Sequence, residues 1–173
     1  MWLHFLQHYN GITIFIPPKP ISSDSINLFT DSCPQGFGGT YKRHYFLGCF
    51  PPDWGNYNIA VLELFPIVLA LHLFAQDMAN KHLLIHTDNH AVADVLQSKT
   101  TKHPQLLTLL RQTVLHCLQY NIRISSKHIS GKTNIIPDAL SRNKHNSIML
   151  QAAHLDVEPT PIPLELLPHN YKW

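Results

Sequence analysis

Asp31, Glu63, Asp88 and Asp138 each border or interrupt a hydrophobic segment: INLFTD, IAVLELFPIVLAL, HLLIHTD and TNIIPDALSR. The 173-residue chain has only 11 acidic residues, so four of them set against apolar runs form a pattern that calls for an explanation. A carboxylate drawn out of water is costly unless it is paired or bound to a cation. Four converging on one place would repel one another, and divalent ions are the usual remedy. The chemistry this suggests is two-metal hydrolysis of a phosphodiester. Two ions about 4 Å apart can activate a water, neutralise charge and stabilise the leaving oxygen. An all-oxygen donor set favours Mg2+ or Mn2+ over zinc. Taken one at a time, ordinary structural roles remain open. Asp31 and Asp88 suit a strand-end turn or cap, and Asp138 suits the first turn of a helix. Glu63 on a buried face has the weakest such alternative.

The elements that must position these residues can be read from the local pattern. Ile26 to Asp31 reads as a short β-prone strand. PQGFGG reads as a turn, its glycines permitting tight backbone geometry. Gly39 to Phe50 supplies one or two further strands in an antiparallel hairpin or meander, and PPDWGNYN is a loop in which Trp54 and Tyr57 serve packing. Ile59 to about Met78 is apolar around most of its circumference and reads as a buried helix, with Pro66 tolerable only near the first turn or at a kink. Leu83 to Asp88 is a near-continuous apolar strand suited to a central position. Asn89 can cap a short helix from His90 to about Gln97, and Pro104 can open another running to about Tyr120. Ile122 to His128 alternates as a strand, SGKT turns, and Asn134 to Arg142 closes with a short helix. Three strands, helix, strand, two helices, strand, helix implies an α/β fold, a mixed sheet with helices on its faces. Its site would form where strands end and the chain diverges.

Composition narrows the field. The hydrophobic fraction of 45% suits a globular core, and a net charge of +2 is too small for strong global attraction to nucleic acid. Three widely spaced cysteines, Cys33, Cys49 and Cys117, make neither a disulfide framework nor a zinc pattern, which favours reduced thiols in a cytoplasmic or nuclear setting. The N-terminus lacks a signal-peptide pattern. Ile59 to Ala75 is the best membrane candidate, but Glu63, Pro66 and His72 interrupt it, so a core helix and no membrane partner are expected. Residues 1–24 read as a lead-in from something upstream, 25–143 as the domain, and 144–173 as a Pro-rich extended tail or linker without a core of its own.

The motifs resemble the ribonuclease H domain of retrotransposon polyproteins. FTDS is similar to the first-strand motif, LEL to the first-helix Glu, HTDN to the central-strand Asp, and HISGKTNIIPDALSR to the closing His-loop-helix. The phrases ELFPIVLALHLFAQDMANK and HTDNHAVADVL look most like DIRS-type and related tyrosine-recombinase retroelements. The resemblance implies a five-stranded mixed sheet, three antiparallel strands followed by parallel additions, with helices on both faces. It implies two Mg2+ or Mn2+ ions held by Asp31, Glu63, Asp88 and Asp138, and hydrolysis of the RNA strand of RNA–DNA hybrids. It gives His128, ten positions before Asp138, the part of a catalytic histidine, and Asn134 a part in gripping substrate. Asn89 and Lys132 are further candidates for substrate contact, and Lys127, Arg142 and Lys144 for phosphates. Three features depart from the pattern: SKTTKHP is too brief for a basic protrusion, Pro137 replaces a small helix former, and polymerase motifs are lacking. Any reverse transcriptase domain would therefore lie outside this chain, and the lead-in, which looks like the stretch after such a domain in those elements, implies that it lies upstream. Two alternatives stay open: a catalytically inert nucleic-acid-binding fragment or domesticated remnant, and a related nuclease of integrase or exonuclease type.

Overall fold

Among the described residues, six strands fall into two hydrogen-bonded ladders of three, one antiparallel and one parallel. The computed structural model describes residues 21–22, 25–26, 28–130, 134–144 and 152–171, with residues 3, 6 and 7. The strands are β1 (Ile21–Ser22), β2 (Leu28–Cys33), β3 (Gly36–Tyr41), β4 (His44–Cys49), β5 (His82–Thr87) and β6 (Arg123–His128); the α-helices are α1 (Ile59–Met78), α2 (His90–Ser98), α3 (Pro104–Gln119) and α4 (Ile135–Ser141).

The antiparallel ladder runs β2-β3-β4 through two two-residue turns, Pro34–Gln35 and Lys42–Arg43. In the second turn Lys42 takes the left-handed conformation at φ 56°. The ladder has two distinct faces. Leu28, Phe37, Tyr41 and Phe46 point toward α1 and join the main core with Phe65 and Phe74. Phe37 meets Phe65 edge-on, with ring centroids 4.9 Å apart, and Tyr41 stacks on Phe74 at 4.7 Å. The opposite face carries Asp31 across from Gly38 and Cys33 across from Gly36, and α4 lies against it.

Two sequence expectations are corrected here. The glycine stretch is not a turn: β3 begins at Gly36, and all six of its residues are buried. Its glycines are required by close approach. A Cβ on Gly38 would lie 2.4 Å from Leu140 Cβ, and one on Gly36 would lie 2.7 Å from the carbonyl oxygens of Ser141 and Gly48. Nor does Asp31 end its strand, since β2 continues to Cys33.

The parallel ladder has β5 at its centre, flanked by β1 and β6. Ile21 pairs with Leu83, so the sheet recruits residues that the sequence reading had left in the lead-in. The mixed character of the expected sheet holds; its hydrogen bonds form two three-stranded ladders rather than one five-stranded one. Thr87 pairs with His128 at one end of the parallel ladder, which brings Asp88 and His128 to the same place.

Helix α1 is the only candidate membrane span by length and composition among the described residues, and 72% of its apolar window is buried inside the protein. It serves as the core helix. Its departure from helical dihedrals falls at Phe74, not Pro66, which sits buried in the second turn. The loop after β4 tightens into a 3-10 turn at Pro52–Asn56, and Trp54 is stacked on Phe50, as packing required. The three cysteines are free.

The tail departs most from expectation. Residues 152–171 are largely extended, with a turn at residues 152–155 and two short 3-10 turns at Leu164–Leu166 and Pro168–Asn170. They do not lack a packed face. Ala152 and Leu155 are buried against Tyr45 and Leu140. Ile162, Leu166 and Tyr171 pack onto the main core. The apolar residues dock singly onto an existing surface, so they needed no periodic pattern of their own.

Candidate active site

Asp31 lies within electrostatic reach of Asp88, Asp138 and Glu63, and the four carboxylates come from separate elements. Asp31 projects from β2 on the α4 side. Glu63 comes from the second turn of α1, on the other side of the ladder. Asp88 follows β5 directly, and Asp138 sits in the first turn of α4. Like-charge repulsion links Asp31 with Asp138 and Asp88, and Glu63 with Asp31 and Asp88. Asp31 is pushed up to about 6, first by burial and then by Asp138 and Asp88, against the lowering effect of a hydrogen bond from Ser141. Glu63 is pushed up to about 8, chiefly by burial, then by Asp31 and Asp88. Asp31 and Asp88 are therefore the shared neighbours, with Glu63 and Asp138 on the flanks. A carboxyl whose ionised form is opposed by both desolvation and like charges marks a place where a cation would be welcome.

The donor set is oxygen-rich, which fits hard divalent ions such as Mg2+ or Mn2+. Among the described residues no group of three or more His, Cys, Asp or Glu side chains forms a ready-made cage. Asp138 is held by Arg142, whose guanidinium approaches Asp138 Oδ1 at 2.9 Å from the next helical turn. Arg142, a candidate phosphate contact in the sequence, is thus engaged within the site itself.

The remaining candidates separate. His128 lies at the end of β6, with Nε2 3.0 Å from the backbone carbonyl of Asp88. Its ring stacks on His90, with centroids 3.5 Å apart and planes 9° from parallel. Asn134 donates its side-chain amide to the Thr30 carbonyl at 2.7 Å, tying the start of α4 to β2. Asn89 caps α2, accepting from the Val92 amide at 3.2 Å. Lys132 lies outside the described residues.

Residues that the sequence reading passed over complete the setting. Ser141 places its hydroxyl 2.8 Å from Asp31 Oδ2 and 2.8 Å from the Asp138 carbonyl oxygen. The buried Cys33 thiol donates to the Ser141 carbonyl at 3.3 Å. Ser141 and Arg142 stand three and four positions after Asp138, the helical spacing that places side chains on one face. That was the signal available for both. His90 had none beyond its nearness to Asp88.

Comparison with known proteins agrees with this arrangement at the level of the fold. No family model matches the chain. It is similar to a putative enzymatic polyprotein of Cassava vein mosaic virus, at 24% identity over 153 residues, which is 81% of this chain and 23% of that protein. The chain thus spans under a quarter of its relative's length. Among solved structures, RNase H1 from the halophilic archaeon Halobacterium salinarum NRC-1 superposes with a TM-score of 0.51 at 16% identity, over 69% of this chain and 95% of that one. The N-terminal RNase H domain of rv2228c from Mycobacterium tuberculosis gives a TM-score of 0.49 at 17% identity, over 72% of this chain and 94% of that one. The chain has the ribonuclease H fold. That fold is the one the resemblance in the sequence implies, and the likeness to a viral polyprotein is a likeness of sequence over part of a longer chain.

Proposed function

We propose that this domain is a metal-dependent endonuclease that hydrolyses the RNA strand of RNA–DNA hybrids, working beside an upstream reverse transcriptase domain in a polyprotein. The observation that carries this reading is the placement of Asp31, Glu63, Asp88 and Asp138 on β2, α1, the end of β5 and α4 of a ribonuclease H fold, where burial and neighbouring carboxylates raise Asp31 and Glu63. Asp31, Glu63, Asp88 and Asp138 would hold two Mg2+ or Mn2+ ions, which supply an activated water and neutralise the charge developing on the phosphate. The chain's own residues do the rest. Ser141 orients Asp31 and Arg142 orients Asp138. His128 handles a proton at the edge of the site or helps product leave. Asn134 holds α4 to β2, while Lys127 and Lys132 are available to phosphates of the substrate.

Discrimination of RNA from DNA rests on helix shape and the 2′-hydroxyl, since a cleft lined by backbone and carboxylates offers nothing to read base edges. With a net charge of only +2, the isolated chain should bind weakly, and more weakly as salt rises. A tethered polymerase domain would raise the effective concentration of substrate. The test is magnesium-dependent cleavage of labelled hybrid, double-stranded RNA and duplex DNA at several salt concentrations. Hybrid should be cut with little regard to sequence. Preference for duplex DNA would point to the related-nuclease alternative. No cleavage at low salt and high protein concentration would leave the inert fragment.

A further inference from the structure

Beneath the helix that carries Asp138 lies a second, smaller apolar cluster, separate from the main core. Tyr45, Leu140, Ala152 and Leu155 are buried in it, with Leu47, Ile136 and Ala139 alongside. These residues come from three sources. Ile136, Ala139 and Leu140 belong to α4, Tyr45 and Leu47 to β4, and Ala152 and Leu155 to the tail. Helix α4 has seven residues. Helices shorter than about 12 residues are marginal in isolation, so α4 takes its position from what it packs against. One support is the glycine face of β3. The other is this cluster, part of which the tail supplies.

The tail is fixed there independently of the helix. A turn joins the Leu155 amide to the Ala152 carbonyl at 2.9 Å. The Asp156 amide donates to the Arg43 carbonyl at 2.8 Å, and the Thr160 amide to the Tyr45 carbonyl at 2.7 Å. Tyr45 Oη donates to the Val157 carbonyl at 3.3 Å. The Asp156 carboxylate also meets Arg43 and His44. These contacts run along β4, the outer strand of the antiparallel ladder. An outer strand exposes unpaired backbone groups, and the tail satisfies the carbonyl of Tyr45 in β4 and that of Arg43 in the turn before it.

We propose that residues 152–160 brace α4, and that Leu155 is a positioning residue that keeps Asp138 facing Asp31. The Leu155 side chain touches no reacting atom; it acts through Leu140, two residues from Asp138. The catalytic arm of the test rests on the hydrolase reading above, and the structural arm does not.

The experiment uses the full chain and compares wild type with Leu155→Ala and Leu155→Met. Amide exchange is followed at Asp138 and Arg142, both bonded within α4, and at Leu83 and Ile85 in β5. Leu155→Ala should speed exchange in α4 by about tenfold or more while leaving β5 unchanged, as local opening requires. Its kcat on a labelled hybrid should fall about tenfold with KM nearly constant, because the geometry of a ligand is disturbed and not the grip on substrate. Leu155→Met, which conserves volume, should restore most of both. Exchange in α4 at the wild-type rate in Leu155→Ala overturns the proposal. So does equal acceleration in α4 and β5, which would show a general loss of stability. If wild type cleaves nothing while α4 exchange still responds as stated, the brace stands and the hydrolase reading fails.

Discussion

Ser141 reaches across 110 positions of sequence to place its hydroxyl 2.8 Å from Asp31 Oδ2. The bond ties the last residue of α4 to the strand that carries the first carboxylate. Ser141 is buried, at 3% exposure, so the bond is sheltered from competing water. It stabilises the ionised form of Asp31, against burial and the neighbouring carboxylates.

Ser141→Ala should therefore raise Asp31 further and leave its carboxylate free to turn. Loss of an outer-shell partner of this kind commonly costs about 10- to 100-fold in metal affinity, and the lost hydrogen bond about 1 kcal/mol of stability. Magnesium titrations of cleavage should show the midpoint moved up by that factor with a smaller change in the plateau. An unchanged midpoint would mean that Ser141 merely closes the helix.

Gly38→Ala tests the seating of α4. The new Cβ would fall 2.4 Å from Leu140 Cβ and 3.0 Å from the Ser141 amide nitrogen. No side chain can rotate away from such a contact, so α4 must lift from β3. Overpacking of this sort costs about 1–3 kcal/mol, and here it also separates Asp138 from Asp31. Gly55→Ala is the control, because its Cβ would meet nothing nearer than the Pro34 carbonyl at 3.7 Å. Denaturant unfolding should show a clear loss for the first and almost none for the second.

The pH dependence of the metal-free protein follows from the raised carboxyls. Asp31 moves from 3.8 to about 6 and Glu63 from 4.5 to about 8 on folding. Both are easier to ionise in the unfolded chain. Their contribution is thus most favourable below about pH 4 and is lost progressively as pH rises toward 8, an effect on the order of a few kcal/mol. Considered alone, these two groups make the metal-free domain more stable at pH 5.5 than at pH 8. Glu63→Gln should flatten the trend and raise the melting temperature at pH 8. Magnesium should flatten it in wild type. A stability curve that rises with pH between 5.5 and 8, unaltered in Glu63→Gln, would contradict the crowded-carboxylate account.

The parts of the molecule that sequence reveals and those it hides differ in physical kind. Helix α1 and strand β5 are marked by long apolar runs, and the carboxylates within or beside them stand out because ionised groups are rare in such places. The cap at Asn89 and the helix start at Pro104 are local chemistry and could be read directly. The first residues of strand β3, 36–38, were missed because glycine's freedom reads as a turn, whereas here the missing side chain is what matters, and the need for that gap comes from α4, about a hundred residues away. The docking of Leu155 and Tyr171 was hidden for a similar reason: single apolar residues in a Pro-rich stretch show no period, and their partners lie on distant strands and helices. Ser141 became meaningful only once α4 was placed against β2.

His128 and Asp88 offer the sharpest test of roles. A backbone carbonyl only accepts hydrogen bonds, so the contact between His128 Nε2 and the Asp88 carbonyl at 3.0 Å requires a proton on Nε2. The ring is held face to face with His90, at the mouth of the site and exposed. That position suits transfer of a proton to or from solvent, and such a role contributes about 10²- to 10⁴-fold. Asp88 neighbours both Asp31 and Glu63 electrostatically, so its loss removes a group shared by the whole cluster. In single-turnover cleavage of a hybrid, His128→Ala should retain a measurable rate, on the order of a hundredth of wild type, whereas Asp88→Asn should fall below detection. His90→Ala should fall between wild type and His128→Ala, since it removes only the stacking partner. His128→Ala as inactive as Asp88→Asn would place His128 among the groups that hold the ions and not among those that move the proton.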